Sequence, residues 1–354
     1  MKMSDRIRHI YKELERLGLD GLLVSYSPNI SYLTRIHSRD AYLIVSKKKN
    51  VYLTDFRYAQ ETRADLKGMK VEIIKGGAAD HIRDACSNLK IKRIGFEERH
   101  MSFFAYKKII SLFPKKTEFL PVAGLIEGMR QVKDSCEVHK IRKAVEITIQ
   151  SFRFIKEFIR PGIKEIEVAG EMERFIRQQG AQEAAFDIIV ACGPNSSRPH
   201  HLTSQEMITA DQPVLIDIGV SYQGYKSDLT RVFFLGKITS LFRRTYAIVL
   251  KAQERAIKKI KPGVKIKEVD ASARQYIIAK GYGGFFGHAL GHGIGLETHE
   301  SPSITGGQEH VLKKGMVFTL EPAVYIPGKF GIRIEDMVLV TDKGCEVLSG
   351  ALHK

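Results

Sequence analysis

The chain has 354 residues, 44% of them hydrophobic and 27% charged, with a formal net charge of +16. That balance excludes a collagen-like, disordered or disulfide-stapled protein, and no apolar run approaches the roughly 20 residues that cross a bilayer. The length exceeds one ordinary core and predicts two domains.

Residues 3–18 place Ile7, Ile10, Leu14 and Leu17 at helical spacing among charges, which predicts an amphipathic surface helix. The segment lacks the apolar core and small-residue cleavage site of a signal peptide, so a cytoplasmic location is expected. Strands are predicted at 21–26, 41–46, 51–56, 71–76 and 93–98, and helices at 58–67, 78–89 and 101–113. Lys47-Lys48-Lys49 and Asn50 lie between two of these strands and read as a solvated hairpin turn. The other basic residues are dispersed: residues 1–130 hold 25 Lys and Arg against 15 Asp and Glu, the remainder 31 against 25. That scatter argues against nucleic acid as the main partner. Cys86, Cys136, Cys192 and Cys345 form no CxxC pair and read as reduced thiols. The pattern loosens around Pro121–Gly128, and a long helix follows from Asp134 toward Phe158. The expected division is therefore 1–125, an α/β domain, and 126–354.

The second domain contains a repeat. Residues 154–180 match 256–281 at an offset of 101: Pro161-Gly162 with Pro262-Gly263, Lys164 with Lys265, Val168 with Val269, Ile176 with Ile277, Gly180 with Gly281. Each unit is helix, Pro-Gly turn, helix and terminal glycine, followed later by an apolar strand ending in a carboxylate. Two similar halves about a pseudo-twofold axis are expected.

The carboxylates are out of place for a core. Asp217 closes the run Val214–Ile216, and Asp228 precedes an apolar strand. In the second half Glu321 closes Met316–Leu320, and Glu335 sits inside GIRIEDMVLV. Four buried acids require comparable positive charge. Arg231 and Arg333 are expected to neutralise part of it, and divalent metal the rest. His292, in the glycine-rich stretch GHALGHGIGLETHE, supplies an imidazole ligand. Such a set can hold two divalent ions about 3.5–4 Å apart.

DIGVSYQGYKSD, GHGIG, LEP and IRIED together resemble the metal-dependent pita-bread peptidases: methionine aminopeptidase, aminopeptidase P and prolidase. The resemblance covers essentially the whole chain. It implies a creatinase-like α/β N-terminal domain, a domain that methionine aminopeptidases usually lack, and a duplicated α+β pita-bread catalytic domain. It implies five metal ligands, Asp217, Asp228, His292, Glu321 and Glu335, with Asp228 and Glu335 bridging two ions. Manganese is the first candidate, with cobalt, zinc or iron as the others. Glu321 is also implied as general base, His200 as the group near the leaving nitrogen, and His299 as partner of the carbonyl oxygen. Arg333 would orient a carboxylate, and His288 would line a proline pocket, while His201 reads as structural. The expected activity is release of the residue preceding proline from peptides with proline second, as a homodimer. The alternative is a dipeptidase restricted to Xaa-Pro. A metal-free creatinase has no need of five ligands, and non-catalytic binding relatives typically lose them.

Overall fold

The computed structural model describes residues 3–66 and 68–354. The chain divides into two compact units, the second running Arg130–Lys354. Among the described residues no helix is long and apolar enough to cross a membrane.

The first unit is a mixed six-stranded sheet in the order β4-β3-β2-β1-β5-β6. Its elements are α1 (Met3–Leu17), β1 (Gly21–Val24), α2 (Ser27–Thr34), β2 (Ala41–Val45), β3 (Val51–Thr54) and α3 (Ala59–Asp65). They continue with β4 (Lys70–Ile73), α4 (Ala78–Asn88), β5 (Arg93–Glu97), α5 (Phe103–Ile110) and β6 (Glu118–Val122). β2 and β3 pair antiparallel across the lysine turn, Ile44 opposite Val51. Ile82, Ala85 and Cys86 of α4 pack on Leu23, Ile44 and Leu53 of the sheet. Two elements escaped the sequence pattern. α2 follows SPNISYLT, whose polar residues hide the helical period, and β6 contains a proline. The helix expected over 58–67 is α3, preceded by a 3₁₀ turn at Phe56–Tyr58; Lys67 lies outside the described residues.

A short helix, α6 (Leu125–Arg130), leads into the second unit. Here α7 (Ser135–Phe158) and α8 (Glu165–Gln178) precede β7 (Glu183–Ala184), β8 (Ile189–Cys192), β9 (Gln212–Ile218), β10 (Val220–Tyr222), β11 (Tyr225–Lys226) and β12 (Leu229–Leu235). Then α9 (Ser240–Lys259) and α10 (Ile266–Ala279) precede β13 (Gly291–Gly293), β14 (Glu300–Ile304) and β15 (Val317–Leu320). The unit ends with β16 (Ala323–Ile326), β17 (Phe330–Arg333), β18 (Asp336–Val340) and β19 (Cys345–Val347). α7 begins on a capping box in which Asp134 and Glu137 satisfy each other's backbone N–H groups.

The duplication is visible bond by bond. Gly162 and Gly263 both take positive φ, 93° and 84°, after their prolines. Gly162 N donates to Ile208 O at 2.8 Å, and Gly263 N to Leu312 O at 2.9 Å. Glu165 N and Ile266 N, which open α8 and α10, donate to Glu206 O and His310 O in the same way. Each half has its own apolar core, one built mainly on Ile141–Leu229 and joined by Ile294, Val317 and Met337, the other on Phe242–Val340. The strands meet in antiparallel ladders, β8-β9-β12 in the first half and β14-β13-β15-β18-β19 in the second.

Two glycines let the carboxylate-bearing strand ends approach closely. A Cβ on Gly219 would lie 1.9 Å from Ser227 O, and one on Gly291 1.9 Å from Thr319 O. No L side chain fits either contact without moving a strand. Gly219→Ala is expected to destabilise the protein by about 1–3 kcal/mol through that overpacking. An unchanged denaturant midpoint would contradict the close approach.

Candidate metal centre

Strand pairing brings the acids together. Asp217 lies on β9 opposite Thr230 of β12, and Asp228 immediately precedes β12. Glu321 follows β15 directly, and Glu335 stands between β17 and β18, its backbone N–H donating to Thr230 O at 3.2 Å. Those bonds join the two halves at their carboxylate-bearing ends. His292 enters from β13, its backbone N–H held by Thr319 Oγ1 at 3.1 Å.

Asp228, His292 and Glu335 each offer a ligand atom within 4.8 Å of the others. His292 Nε2 lies 3.5 Å from Asp228 Oδ2 and 3.4 Å from Glu321 Oε1. Its ring is kept neutral: burial first, and then the neighbouring His299, push its pKa down to about 4. A neutral imidazole with a free nitrogen lone pair is the form that binds metal. The ring of His299 sits edge-on to it, centroids 4.2 Å apart.

The electrostatics call for cations. Asp228 is raised well above the usual carboxylate range by burial, and further by Glu335, Asp217 and Glu321. Glu335 is raised in the same way by burial, Glu321 and Asp217. Glu321 is pushed up to about 8, again by burial first, even though Arg333 pulls the other way. At an effective dielectric of 20, two like charges 4 Å apart repel by about 4 kcal/mol. Asp217 Oδ1 is buried without a hydrogen-bond partner. An orphaned carboxylate oxygen beside three other acids and one neutral imidazole fits divalent ions, and the oxygen-rich set with one nitrogen suits manganese, cobalt, iron or zinc.

Arg333 is the organising cation. It is buried, with Nη2 donating to Asp217 Oδ2 at 2.5 Å and Nε to Thr230 Oγ1 at 3.0 Å. Thr230 Oγ1 in turn donates a hydrogen bond to Glu335 Oε2 at 2.7 Å. Nη1 donates to Tyr325 Oη at 2.6 Å, and Tyr325 lies 3.2 Å from His288 Nε2. His288 Nδ1 faces Ala289 O at 2.8 Å, so Nε2 is the nitrogen left to accept from the Tyr325 hydroxyl. Burial holds the pKa of His288 down to about 4.

Arg231 corrects the expectation that it shares this neutralising role. Next to Thr230 on β12, it points to the opposite face and pairs with Asp336 at 2.7 Å, with Nη1 also on the Thr230 and Glu335 carbonyls. It therefore secures the backbone of Glu335 and leaves its charge with Asp336.

His200 is exposed, and its charge bears on His299, whose pKa is lowered by burial and then by His200. The loop carrying His200 is anchored by Glu165, a buried acid missed in the sequence because it opens an ordinary amphipathic helix. Glu165 accepts from Cys192 N at 2.8 Å, Asn195 Nδ2 at 3.0 Å, His201 Nε2 at 2.8 Å and Ser204 Oγ at 2.7 Å. Those bonds keep it below the usual range despite burial. His201 thus holds the loop and points away from the carboxylate cluster into this cradle. Tyr325, Thr230 and Thr319 were also illegible, because their hydroxyls look like ordinary strand residues until the chain folds.

Residues 139–342 match the model of metallopeptidase family M24, and residues 6–132 match the creatinase/prolidase N-terminal domain. The chain belongs to the M24 metallopeptidases, and its fold is the two-domain pita-bread architecture of that family. It is 36% identical to a Xaa-Pro dipeptidase of Pyrococcus horikoshii over 98% of this chain and 97% of that one. Its structure resembles a Xaa-Pro dipeptidase from Bacillus anthracis (TM-score 0.95, 37% identity, 99% and 98% of the two chains). It also resembles an X-Pro aminopeptidase from Thermotoga maritima (TM-score 0.88, 38% identity, 95% and 97% covered).

The buried acids make a pH prediction for protein stripped of metal by chelation. The fold favours protonated Glu321, so the stability tied to that proton is whole below pH 4.5 and is lost as pH rises to 8. Asp228 and Glu335, raised in the same direction, add to the loss. Thermal unfolding across that range is expected to show a falling midpoint that divalent metal restores, with protons released on binding. A flat midpoint would show that the acids are not buried together.

Proposed function

We propose that this enzyme hydrolyses the bond between an N-terminal residue and proline in Xaa-Pro dipeptides. Two divalent ions would be held by Asp217, Asp228, His292, Glu321 and Glu335, manganese being the first to test. The observation that carries the reading is the convergence of Asp228, Glu335 and the neutral imidazole of His292, with Glu321 3.4 Å from His292 and the unpartnered Asp217 Oδ1 in the same charged cluster. The relatives named Xaa-Pro dipeptidase, matched over nearly the full length of both chains, move the weight from aminopeptidase to dipeptidase. The aminopeptidase reading is kept open by the Thermotoga maritima structure.

Bound ions supply Lewis-acid polarisation of the scissile carbonyl and acidify the attacking water. Glu321, beside His292, would take a proton from that water. The leaving nitrogen of proline departs as a secondary amine and needs a proton in return, a role that the family resemblance gives to His200, which is exposed. His299 is neutral, so it can donate its N–H to the carbonyl oxygen as charge develops there. Arg333 fixes Asp217 directly and Glu335 through Thr230. His288 is held by Tyr325, with Nδ1 3.9 Å from Glu321 Oε2, and the family resemblance makes it a residue that would line the proline ring's seat. A pocket shaped for that ring answers a chemical problem: the imide nitrogen has no N–H, and the ring restricts its neighbour.

Four cysteines without disulfides fit a cytoplasmic enzyme, and the family resemblance favours a homodimer, which sedimentation would read directly. The deciding assay is hydrolysis of Ala-Pro and Ala-Pro-Ala by protein reloaded with manganese. Cleavage of the dipeptide alone is expected, and cleavage of the tripeptide makes the enzyme an aminopeptidase. Glu321→Gln is expected to lower kcat by at least about 10²–10⁴-fold. Failure of both substrates with every candidate metal would sink the reading.

A further inference from the structure

We infer that Gln253 is a positioning residue for the metal centre, tying the two glutamate ligands of the second half to one buried amide. The inference rests on the proposed ligand role of Glu321 and Glu335. Gln253 lies on α9, fully buried in the apolar core of the second half. Its Nε2 donates to Leu320 O at 3.1 Å and to Ile334 O at 2.9 Å. Those carbonyls belong to the residues immediately before Glu321 and Glu335. Both neighbours are acceptors, so the amide can only face them with its NH2 group.

Leu320 ends β15, and Ile334 lies between β17 and β18. One nitrogen therefore chelates two chain segments at the points where each turns its glutamate toward the site. The amide is paid for in burial, because Oε1 has no hydrogen-bond partner. The duplication sharpens the point. At the offset of 101 the first half carries Phe152, an apolar core residue, on the equivalent helix. Packing at this position is thus satisfied by a hydrocarbon side chain, and the second half departs from it with a group that reaches the ligand-bearing backbone. The first half reaches its own ligand strand from a different turn, through Thr148 Oγ1 and Ser227 Oγ, 2.7 Å apart and one residue before Asp228.

Ligand spacing in a two-ion site is set by such outer contacts, whose loss costs about 10–100-fold in metal affinity or activity. The test is calorimetric titration of manganese into chelated wild type and chelated Gln253→Leu, with thermal midpoints of both metal-free proteins. The expected result is about 10–100-fold weaker manganese binding by the variant, a lower kcat on Ala-Pro with KM little changed, and a metal-free midpoint close to wild type. Metal affinity equal to wild type overturns the proposal, even if the midpoint falls, because Gln253 is then a packing residue. Should the leucine variant fail to fold, Gln253→Met, unbranched and of similar volume, is read by the same criterion. Wild type that takes up no manganese, cobalt, zinc or iron would overturn the metal-site reading itself, and that failure shows in the parent protein before any variant is compared.

Discussion

Three buried carboxylates and a half-buried fourth, gathered about a single arginine, govern the second unit. A core of this kind is unfavourable in isolation: each acid loses hydration, and each repels the others. Arg333 offsets one charge through Asp217 and steadies a second through Thr230 and Glu335. The remaining negative charge fits the divalent cations that membership of the M24 metallopeptidases implies. Cations bound there would supply the charge that the strands alone lack, and so would couple binding to folding.

The duplicated chain is how that cluster is built. Each half ends an apolar strand in one acid and places a second on a neighbouring strand, and the halves join where Glu335 N meets Thr230 O. Close packing at Gly219 and Gly291 lets the strand ends approach. Around the carboxylates runs a set of neutral and charged groups. Thr230 donates to Glu335 Oε2, Thr319 holds the His292 backbone, Gln253 and Arg231 hold the backbone at and beside Glu321 and Glu335, and Tyr325 joins Arg333 to His288, so none adds negative charge to the site.

Exposure divides the residues of the site. Asp217, Asp228 and Glu335 are buried, His292 and Glu321 are half-buried, and His200 is exposed on a loop anchored by Glu165. That combination keeps the carboxylates fixed while leaving the His200 side chain accessible to solvent.

The sequence by itself determined the repeat, the misplaced acids and the glycine-rich histidine segment, because apolar periodicity and a carboxylate at a strand's end are local signals. It placed the lysine hairpin between β2 and β3 for the same reason. Side-chain direction was beyond it. Arg231 and Arg333 look equivalent in sequence, yet only Arg333 faces the acids, since strand alternation and register decide the face. Glu165, Tyr325 and Gln253 carry no local mark of their partners, which come from segments 27 to 81 residues away or, for Tyr325, from across a hairpin. Tertiary structure alone decided those roles, because a hydrogen bond between distant segments exists only once the fold has brought a donor and an acceptor within about 3 Å.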